Sequence, residues 1–496
     1  MPTTRSAALA AALICVAACG KDGTAPTDET PVVTSVALDR SQLTFAHIGL
    51  RDTVRATAKD QLGRTIVGAS VSWTSATPAI ATVDSSGVVT SLGLGSTTIT
   101  ASAGTRSASV TVSVQAASLE WTRCSGGSPT VLMLIEAQYR FPLAASVTRY
   151  ANDLCAEGYT VWIAESVPTT PPEIRAYLAD AWERSGHALV GALLIGNIPR
   201  AYQYVVLGSF NPAIPDTKEE AISYQYYADV NGTFSASTGF VPTRAYTYDV
   251  HGGDTSWELW IGVLPVYKGS VPSTVAALTR YFDKNHAYRT GGPKPPRAFL
   301  NVSELFTATT NAEYMTYLRL MQTGTYSWRP FSTSAGAQFF FSSTTPALTV
   351  AQGYAALQAG AADFFVGESH GFSGAAGQLT IARVESTPVK TTFFWSSGCA
   401  IGDLDKADNF LTSVVYSTTS DVLIGKGTTN NSGGMGNNSN GYYGRNIATA
   451  MAAGSSFGAA ILSHTNVPLV YPYNLSREFH LGTAVIVGDP TLKLRP

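Results

Sequence analysis

Charged residues are scarce in this chain. Asp, Glu, Lys and Arg together make up 13% of its 496 residues, and the net charge is −2. No cluster of Lys and Arg is present, so the chain lacks the positive patch with which proteins hold a phosphate backbone. Nucleic acid is therefore not expected as a partner. The apolar share of 45% predicts a folded, β-rich globular protein rather than a disordered one.

Long apolar runs are also missing. None reaches the roughly 18 residues that a membrane-spanning helix requires. We therefore expect the body of the protein to be soluble after export. Any attachment to a membrane would then depend on the N-terminus.

The N-terminus has the pattern of a targeting segment. Arg5 precedes an apolar stretch at 7–16, and Val-Ala-Ala-Cys follows at 16–19. This pattern resembles the bacterial lipoprotein signal. The resemblance implies a signal peptide over 1–18, lipid attachment at Cys19 and a place in the cell envelope, on the outer membrane or cell surface. Residues 19–31 then predict a flexible tether. The alternative is an ordinary secretory signal in which Cys19 is incidental.

Cysteine is rare as well. There are five, and Cys15 and Cys19 belong to the N-terminal segment. In an oxidising compartment Cys124 and Cys155 could pair, which would leave Cys399 as a free and reactive thiol. The sequence alone leaves that pairing open.

Metal-binding motifs are absent too. The seven histidines are scattered and no His-Glu-x-x-His occurs, so metal catalysis has no support. There is no twelve-residue calcium loop, although oxygen-rich loops leave room for a structural calcium ion. No cofactor is expected to be required.

The chain is long enough for two or three domains at about 150 residues each. Its first part, 32–116, consists of short β-type runs between turn residues, which predicts a small β-sandwich. The amino-acid sequence at 71–75, 81–90 and 95–101 resembles the group 2 bacterial immunoglobulin-like domain. That resemblance implies a spacer or adhesion module.

Beyond residue 119 the pattern changes to apolar strands alternating with helical segments. The runs at 131–135, 159–163 and 192–196 are typical of strands buried on both faces. We predict an α/β domain over 120–496, with a mainly parallel open sheet and helices on both faces. It divides into two parts, about 120–290 and about 291–496.

Two predicted strands end in reactive side chains. The run Phe-Phe-Val at 364–366 leads to His370, and Thr-Phe-Phe-Trp at 392–395 leads to Cys399. The two residues are 29 positions apart, which suffices for a crossover between neighbouring parallel strands. Open sheets place their chemistry at the carboxyl ends of strands, so imidazole and thiol are expected to meet.

A Cys beside a His is a minimal apparatus for acyl transfer, because the imidazole activates the thiol and can protonate a departing amine. Gly371 and Gly398 follow and precede these residues and allow a peptide carbonyl to approach closely. The backbone N–H groups of Gly371 and Cys399 are candidates for an oxyanion hole. The alternative is structural, since a lone Cys or His is usually a core or surface residue.

Most of 120–496 resembles the gingipain family of caspase-like cysteine peptidases. Its markers are Ala-Leu-Leu-Ile-Gly-Asn-Ile-Pro at 192–199, Tyr-Tyr-Ala-Asp-Val-Asn-Gly at 226–232, Glu-Leu-Trp-Ile-Gly-Val-Leu-Pro-Val at 258–266, Ser-His-Gly at 369–371, Ser-Gly-Cys at 397–399 and Val-Gly-Asp-Pro-Thr-Leu-Lys-Leu at 487–494. The resemblance implies an endopeptidase acting on protein or peptide substrates through His370 and Cys399.

This chain departs from the family at two positions. Ser369 stands where Gly often precedes the His, and Val263 stands where Arg often follows Ile-Gly. The second change affects a salt bridge or the substrate pocket.

Acidic residues provide further candidates. Arg-cleaving members of the family have an acidic residue in the specificity pocket, and Asp254 is the candidate here, with a turn former or calcium ligand as the alternative. The acid that orients His370 is expected to be Glu258, by family guidance, or Glu368, two residues before the His.

Two other functions remain open. The chain could be a non-catalytic adhesion or binding lipoprotein that keeps a peptidase-like fold. It could also be a transpeptidase that uses the same dyad and passes the acyl group to an amine. A loop rich in Asn, Gly and Ser at 428–441 is expected to wall the substrate cleft or to be a surface loop.

Overall fold

The computed structural model describes residues 30–45, 50–93, 95–114, 119–122, 124, 129–207, 217–291, 299–303, 350–360, 362–396, 398–429, 447–448, 450–466 and 483–494. The predicted signal peptide, Cys19 and most of the tether lie outside these residues, as does most of the loop at 428–441. None of the described helices is long and apolar enough to cross a membrane.

The N-terminal part is a β-sandwich. Its strands are β1 (Ser35–Leu38), β2 (Gln42–Phe45), β3 (Arg51–Thr53), β4 (Ala56–Lys59), β5 (Ser72–Ser75), β6 (Ala81–Val83), β7 (Val88–Ser91), β8 (Gly95–Ala103) and β9 (Arg106–Val114). A four-stranded sheet, β2-β9-β8-β5, and a three-stranded sheet, β3-β7-β6, are both present. Phe45 and Val112 of the first share one buried core with Ala81 and Val89 of the second, so the two sheets face each other.

The C-terminal part alternates strands and helices. Its strands are β10 (Leu119–Thr122), β11 (Thr130–Ile135), β12 (Thr160–Ala164), β13 (Leu189–Ile195), β14 (Tyr202–Leu207), β15 (Thr217–Ile222), β16 (Thr233–Ser235), β17 (Thr247–Tyr248), β18 (Val250–Gly252), β19 (Trp260–Leu264), β20 (Phe299–Ser303), β21 (Phe364–Glu368), β22 (Gly371–Phe372), β23 (Ala375–Ala376), β24 (Leu379–Thr380), β25 (Phe393–Ser396), β26 (Ile424–Thr428) and β27 (Ala484–Gly488). Its helices are α1 (Ala137–Arg140), α2 (Ala144–Ala156), α3 (Pro171–Arg184), α4 (Gln225–Ala228), α5 (Val271–Thr290), α6 (Val350–Ala359), α7 (Ile381–Ser386), α8 (Phe410–Tyr416) and α9 (Phe457–Thr465).

Ten described strands form one sheet in the order β10-β12-β11-β13-β19-β27-β26-β25-β21-β20. Neighbours run parallel except at β10–β12 and β26–β27. Strand β11 is buried at every position, as expected of a parallel strand covered on both faces. The predicted fold class, a mainly parallel α/β sheet preceded by a β-sandwich, is confirmed.

Helices cover both faces of this sheet. Leu411 of α8 packs against Gly425 on one face. Lys426, the next residue, points to the other face because side chains alternate along a strand. There it lies beside Trp395, whose ring is 6.4 Å from that of Phe457 in α9. The sheet is therefore the middle layer of three.

Strand direction reverses in the middle of the sheet. Strand β27 runs parallel to β19 but antiparallel to β26. The carboxyl ends of β21, β25 and β26 therefore lie at one edge of the sheet, where β27 begins. His370 and Cys399 follow β21 and β25 at this edge.

Candidate active site

His370 and Cys399 follow two strands that are direct neighbours. Strands β21 and β25 pair in parallel, with Phe364 opposite Phe393 and Phe365 opposite Phe394. The rings of these pairs stack, with centroids 5.7 and 4.9 Å apart. Cross-strand aromatic pairs of this kind stabilise one register, and that register fixes the levels at which the two strands end.

The backbones next to the two residues touch. A Cβ added to Gly371 would lie 2.8 Å from the Cα of Gly398, and one added to Gly398 would lie 3.2 Å from the Cα of Gly371. Only glycine permits so close an approach. Because His370 directly precedes one glycine and Cys399 directly follows the other, this contact brings the imidazole-bearing and thiol-bearing segments together.

Cys399 is a free cysteine and is partly exposed. The pairing of the other two cysteines, which the sequence left open, is made in the structure: Cys124 and Cys155 form a disulfide with their Cα atoms 6.0 Å apart. Among the described residues Cys399 is thus the thiol available for chemistry.

The turn after Cys399 has an unusual backbone. Ala400 has a φ of 49°, a left-handed conformation that costs a non-glycine residue roughly 1–2 kcal/mol. The turn is held by the end of β26, where Thr428 Oγ1 donates to the Gly398 carbonyl at 2.7 Å and Gly402 N–H donates to the Thr428 carbonyl at 2.9 Å. Strained conformations of this kind concentrate at functional sites. No residue pattern marked Ala400, because alanine rarely adopts this conformation.

The two oxyanion candidates differ in what surrounds them. The Cys399 N–H donates to no backbone carbonyl in the turns and loops that the structure describes. Gly371 begins β22, where it lies opposite Ala376. The oxyanion role of both groups remains a prediction.

His370 is exposed and its backbone is anchored. Its carbonyl accepts from Gly377 N–H at 2.7 Å, and the intervening hairpin, β22–β23, receives a further bond from Phe410 N–H to the Ser373 carbonyl at 2.6 Å. Helix α8 thereby fixes the hairpin that begins beside His370.

The acids proposed to orient His370 have different outcomes. The side chain of Glu368 lies outside what the structure describes. Glu258 lies two residues before β19. Its Oε2 accepts from the Val230 N–H at 3.0 Å. Burial raises the pKa of Glu258, and the negative charges of Asp229 and Asp254 add to that rise, while the Val230 bond opposes it.

Asp254 lies between β18 and β19 and is exposed. Its Oδ1 accepts from Ser256 N–H at 3.0 Å, the bond of an Asx turn. Asp229 is instead buried, with Oδ2 at 2.6 Å from His251 Nε2. The pocket role of Asp254 remains a prediction. Within the described part of the chain, no group of three or more His, Cys, Asp or Glu side chains is placed to hold a metal ion.

One feature of the site had no signal in the sequence. Asp405, six residues after Cys399, accepts hydrogen bonds from Tyr202 at 3.1 Å, from Arg200 at 3.3 Å and from Arg244. These partners are more than 160 positions away in sequence. They tie the segment after Cys399 to β14, which belongs to a separate three-stranded sheet.

Comparison with protein families finds a match to the model described as "Intimin, immunoglobulin-like domain" over residues 65–105. This match lies inside the β-sandwich and identifies an immunoglobulin-like domain there. The expected membership in the group 2 subfamily of bacterial immunoglobulin-like domains stays a prediction. No curated protein matches the chain at a significant level.

Solved structures show three relevant similarities. The Arg-specific cysteine proteinase gingipain R (RGPB) is 14% identical, with 75% of this chain and 79% of that chain covered and a TM-score of 0.47. Domains 4 and 5 of the S-layer protein SbsC are 34% identical, with 18% and 54% covered and a TM-score of 0.17. An intimin mutant from EHEC O157:H7 is 16% identical, with 35% and 79% covered and a TM-score of 0.14. All three TM-scores are below 0.5, so the architecture is defined by its own strand order and register.

Proposed function

We propose that the protein is an exported cysteine endopeptidase in which Cys399 is the nucleophile and His370 the general acid and base. The observation that carries this proposal is the backbone contact of Gly371 with Gly398, since it joins the ends of β21 and β25 where the imidazole and the thiol stand. The free state of Cys399 and the left-handed turn at Ala400 support it.

The reaction follows from the two side chains. His370 accepts the thiol proton as the Cys399 sulfur attacks the peptide carbonyl carbon. The N–H groups of Cys399 and Gly371 stabilise the oxyanion of the tetrahedral intermediate. When the C–N bond breaks, His370 gives the proton to the departing amine, and a thioester remains. Water activated by His370 then hydrolyses the thioester and regenerates the thiol.

Two acidic residues have supporting roles in this proposal. Glu258, whose Oε2 accepts from the Val230 N–H, is the acid that orients His370. Asp254, which is exposed, pairs with a basic side chain of the substrate. Exchange of Asp254 for Asn should therefore lower kcat/KM for peptides with Arg or Lys before the scissile bond and leave other peptides unaffected.

The test of the dyad is labelling of the full chain with an acyloxymethyl ketone peptide library. Cys399→Ala and His370→Ala should each abolish labelling, whereas His187→Ala, which removes an exposed histidine in the turn before β13, should not. Labelling that survives in Cys399→Ala, or no labelling of a folded wild-type protein, would overturn the proposal.

A non-catalytic surface protein is the second candidate, and the intimin-type match at 65–105 is the observation that favours it. That match supports an exported or cell-surface location under either candidate. Folded wild-type protein that no electrophile labels would favour this second function. A transpeptidase is distinguished by transfer of the acyl group to an added amine. Lipid attachment at Cys19 is a separate proposal, and loss of labelled fatty acid in Cys19→Ser would support it.

A further inference from the structure

Phe372 is a large apolar side chain left in solvent beside the proposed dyad. It is 61% exposed and comes two residues after His370. Single exposed apolar residues are ordinary on protein surfaces, so exposure by itself means little. What sets Phe372 apart is its position relative to His370.

His370 and Phe372 share a face of the chain. An added Cβ at Gly371 would meet Gly398 and Ile401, so the Gly371 position is packed against these two residues on one face of the hairpin. Successive residues of a strand point to opposite faces. His370 continues the hairpin ladder, because its carbonyl accepts from Gly377 N–H. His370 and Phe372 therefore share the other face of the hairpin, roughly 7 Å apart along the chain.

The hairpin holds the ring in place. Phe372 pairs with Ala375 across the β22–β23 hairpin, and the Ser373 carbonyl accepts from Phe410 N–H at 2.6 Å. A Cβ added at Gly374 would lie 2.8 Å from the Phe372 ring, so the ring lies over this glycine. A pre-placed aromatic ring loses little conformational entropy when a ligand covers it.

We propose that Phe372 is a specificity-determining residue, which contacts an aromatic or large aliphatic side chain of the peptide near the scissile bond. This rests on the proposed function of the site, because the peptide bond must lie against His370 to be cleaved. Ring-on-ring contact adds to the burial of apolar surface. Loss of the Phe372 ring weakens binding of peptides with such a side chain roughly tenfold, and leaves peptides with Ala at that position unchanged.

The experiment measures binding in the full chain with Cys399→Ala, so that no turnover is needed. Fluorescent peptides that differ only by Phe or Ala, at each of several positions, are titrated and followed by anisotropy. Phe372→Ala should remove the preference for Phe. The matched control is Phe141→Ala, since Phe141 is 92% exposed but follows β11, and four strands lie between β11 and β25 in the sheet.

Each outcome decides the proposal. A Phe preference that is lost in Phe372→Ala and kept in Phe141→Ala supports it. A preference kept in Phe372→Ala, equal binding of the Phe and Ala peptides, or no peptide binding overturns it. Turnover of the same peptides by the chain with Cys399 intact is measured separately, so a failure of catalysis is distinguished from a failure of recognition.

Discussion

Arg289 and Asp489 form an ion pair in the interior. The Arg289 Nη2 lies 2.6 Å from the Asp489 Oδ2, and the two side chains are only 3% and 0% exposed. Asn285 and Thr491 also donate to the same carboxylate. Burial alone would raise the pKa of Asp489, but the Arg289 charge and these hydrogen bonds outweigh it and lower the pKa. The Gly-Asp-Pro stretch that ends β27 is thereby fixed to α5.

Breaking this pair should destabilise the protein strongly. Asp489→Ala leaves the Arg289 guanidinium buried, and removal of one partner of a buried pair costs about 3–5 kcal/mol in free energy of unfolding. The matched control is Asp283→Ala, which removes the partner of Arg149 in an exposed pair and should cost about 1 kcal/mol or less. Urea unfolding of the three proteins provides the measurement. Equal losses in the two variants would contradict the prediction.

A second prediction concerns Lys426, which is buried in β26 with its Nζ 4.7 Å from the centroid of the Trp395 ring. Burial lowers the pKa of Lys426 to about 7, from an ordinary value of 10.5. Below about pH 7 both states carry the proton, and the folded state bears the full cost of the buried charge. Between these two pKa values the unfolded state binds the proton and the folded state does not, so stability rises with pH.

Lys426→Met removes the cost of burying this charge. We expect the variant to be more stable than wild type at pH 6, because methionine fills the space without a charge. Its advantage should shrink by at most about 1.4 kcal/mol per pH unit between pH 7 and 9. Urea unfolding at pH 6, 7, 8 and 9 measures the difference. A difference that stays constant across this range would show that Lys426 keeps an ordinary pKa.

Much of the fold could be predicted from the periodicity of apolar residues and from the residues at the ends of the strands and helices. The apolar run at 131–135 became the fully buried β11. Helix α3 begins at Pro171, after a capping box between Thr170 and Glu173. These features are local, since they depend on side-chain period and on caps a few residues apart.

Features that depend on distant partners could not be predicted. The reversal between β26 and β27 depends on how the last strand enters the sheet, and an apolar run has the same composition in either direction. The sequence placed glycines beside His370 and Cys399, but their mutual contact requires the β21–β25 register. The partners of Asp405 are likewise known only once the sheets are assembled.

The left-handed turn at Ala400 supplies a third prediction. Glycine adopts a positive φ without strain, so Ala400→Gly should stay within about 1 kcal/mol of wild-type stability. Valine is β-branched and larger, and the site is 8% exposed, so Ala400→Val should lose about 2 kcal/mol or more. Thermal unfolding measures both.

Ala407→Val is the control for the valine substitution, because Ala407 is exposed in the same segment and should change stability by less than about 0.5 kcal/mol. If Ala400→Val unfolds at the wild-type temperature, the turn does not require the left-handed conformation.

The clamp on Asp405 gives the last prediction, which concerns the position of the nucleophile. Tyr202, Arg200 and Arg244 hold the Asp405 carboxylate, and this anchors the segment that starts at Cys399. Asp405→Ala removes the anchor. Small displacements of a reacting group lower rates steeply, so the rate at which an acyloxymethyl ketone labels Cys399 should fall roughly tenfold or more.

A purely structural role for Asp405 would instead lower the unfolding temperature and leave the labelling rate of the folded protein unchanged. Asp408→Ala is the matched control, because Asp408 is exposed three residues further along. Labelling with iodoacetamide distinguishes the position of the Cys399 sulfur from the intrinsic reactivity of its thiol. This small reagent alkylates the thiol without having to bind in the peptide cleft. We expect Asp405→Ala to slow the peptide probe much more than iodoacetamide, because the clamp fixes where the sulfur lies relative to a bound peptide. Equal slowing of both reagents would mean that the clamp changes the exposure of Cys399 rather than its alignment.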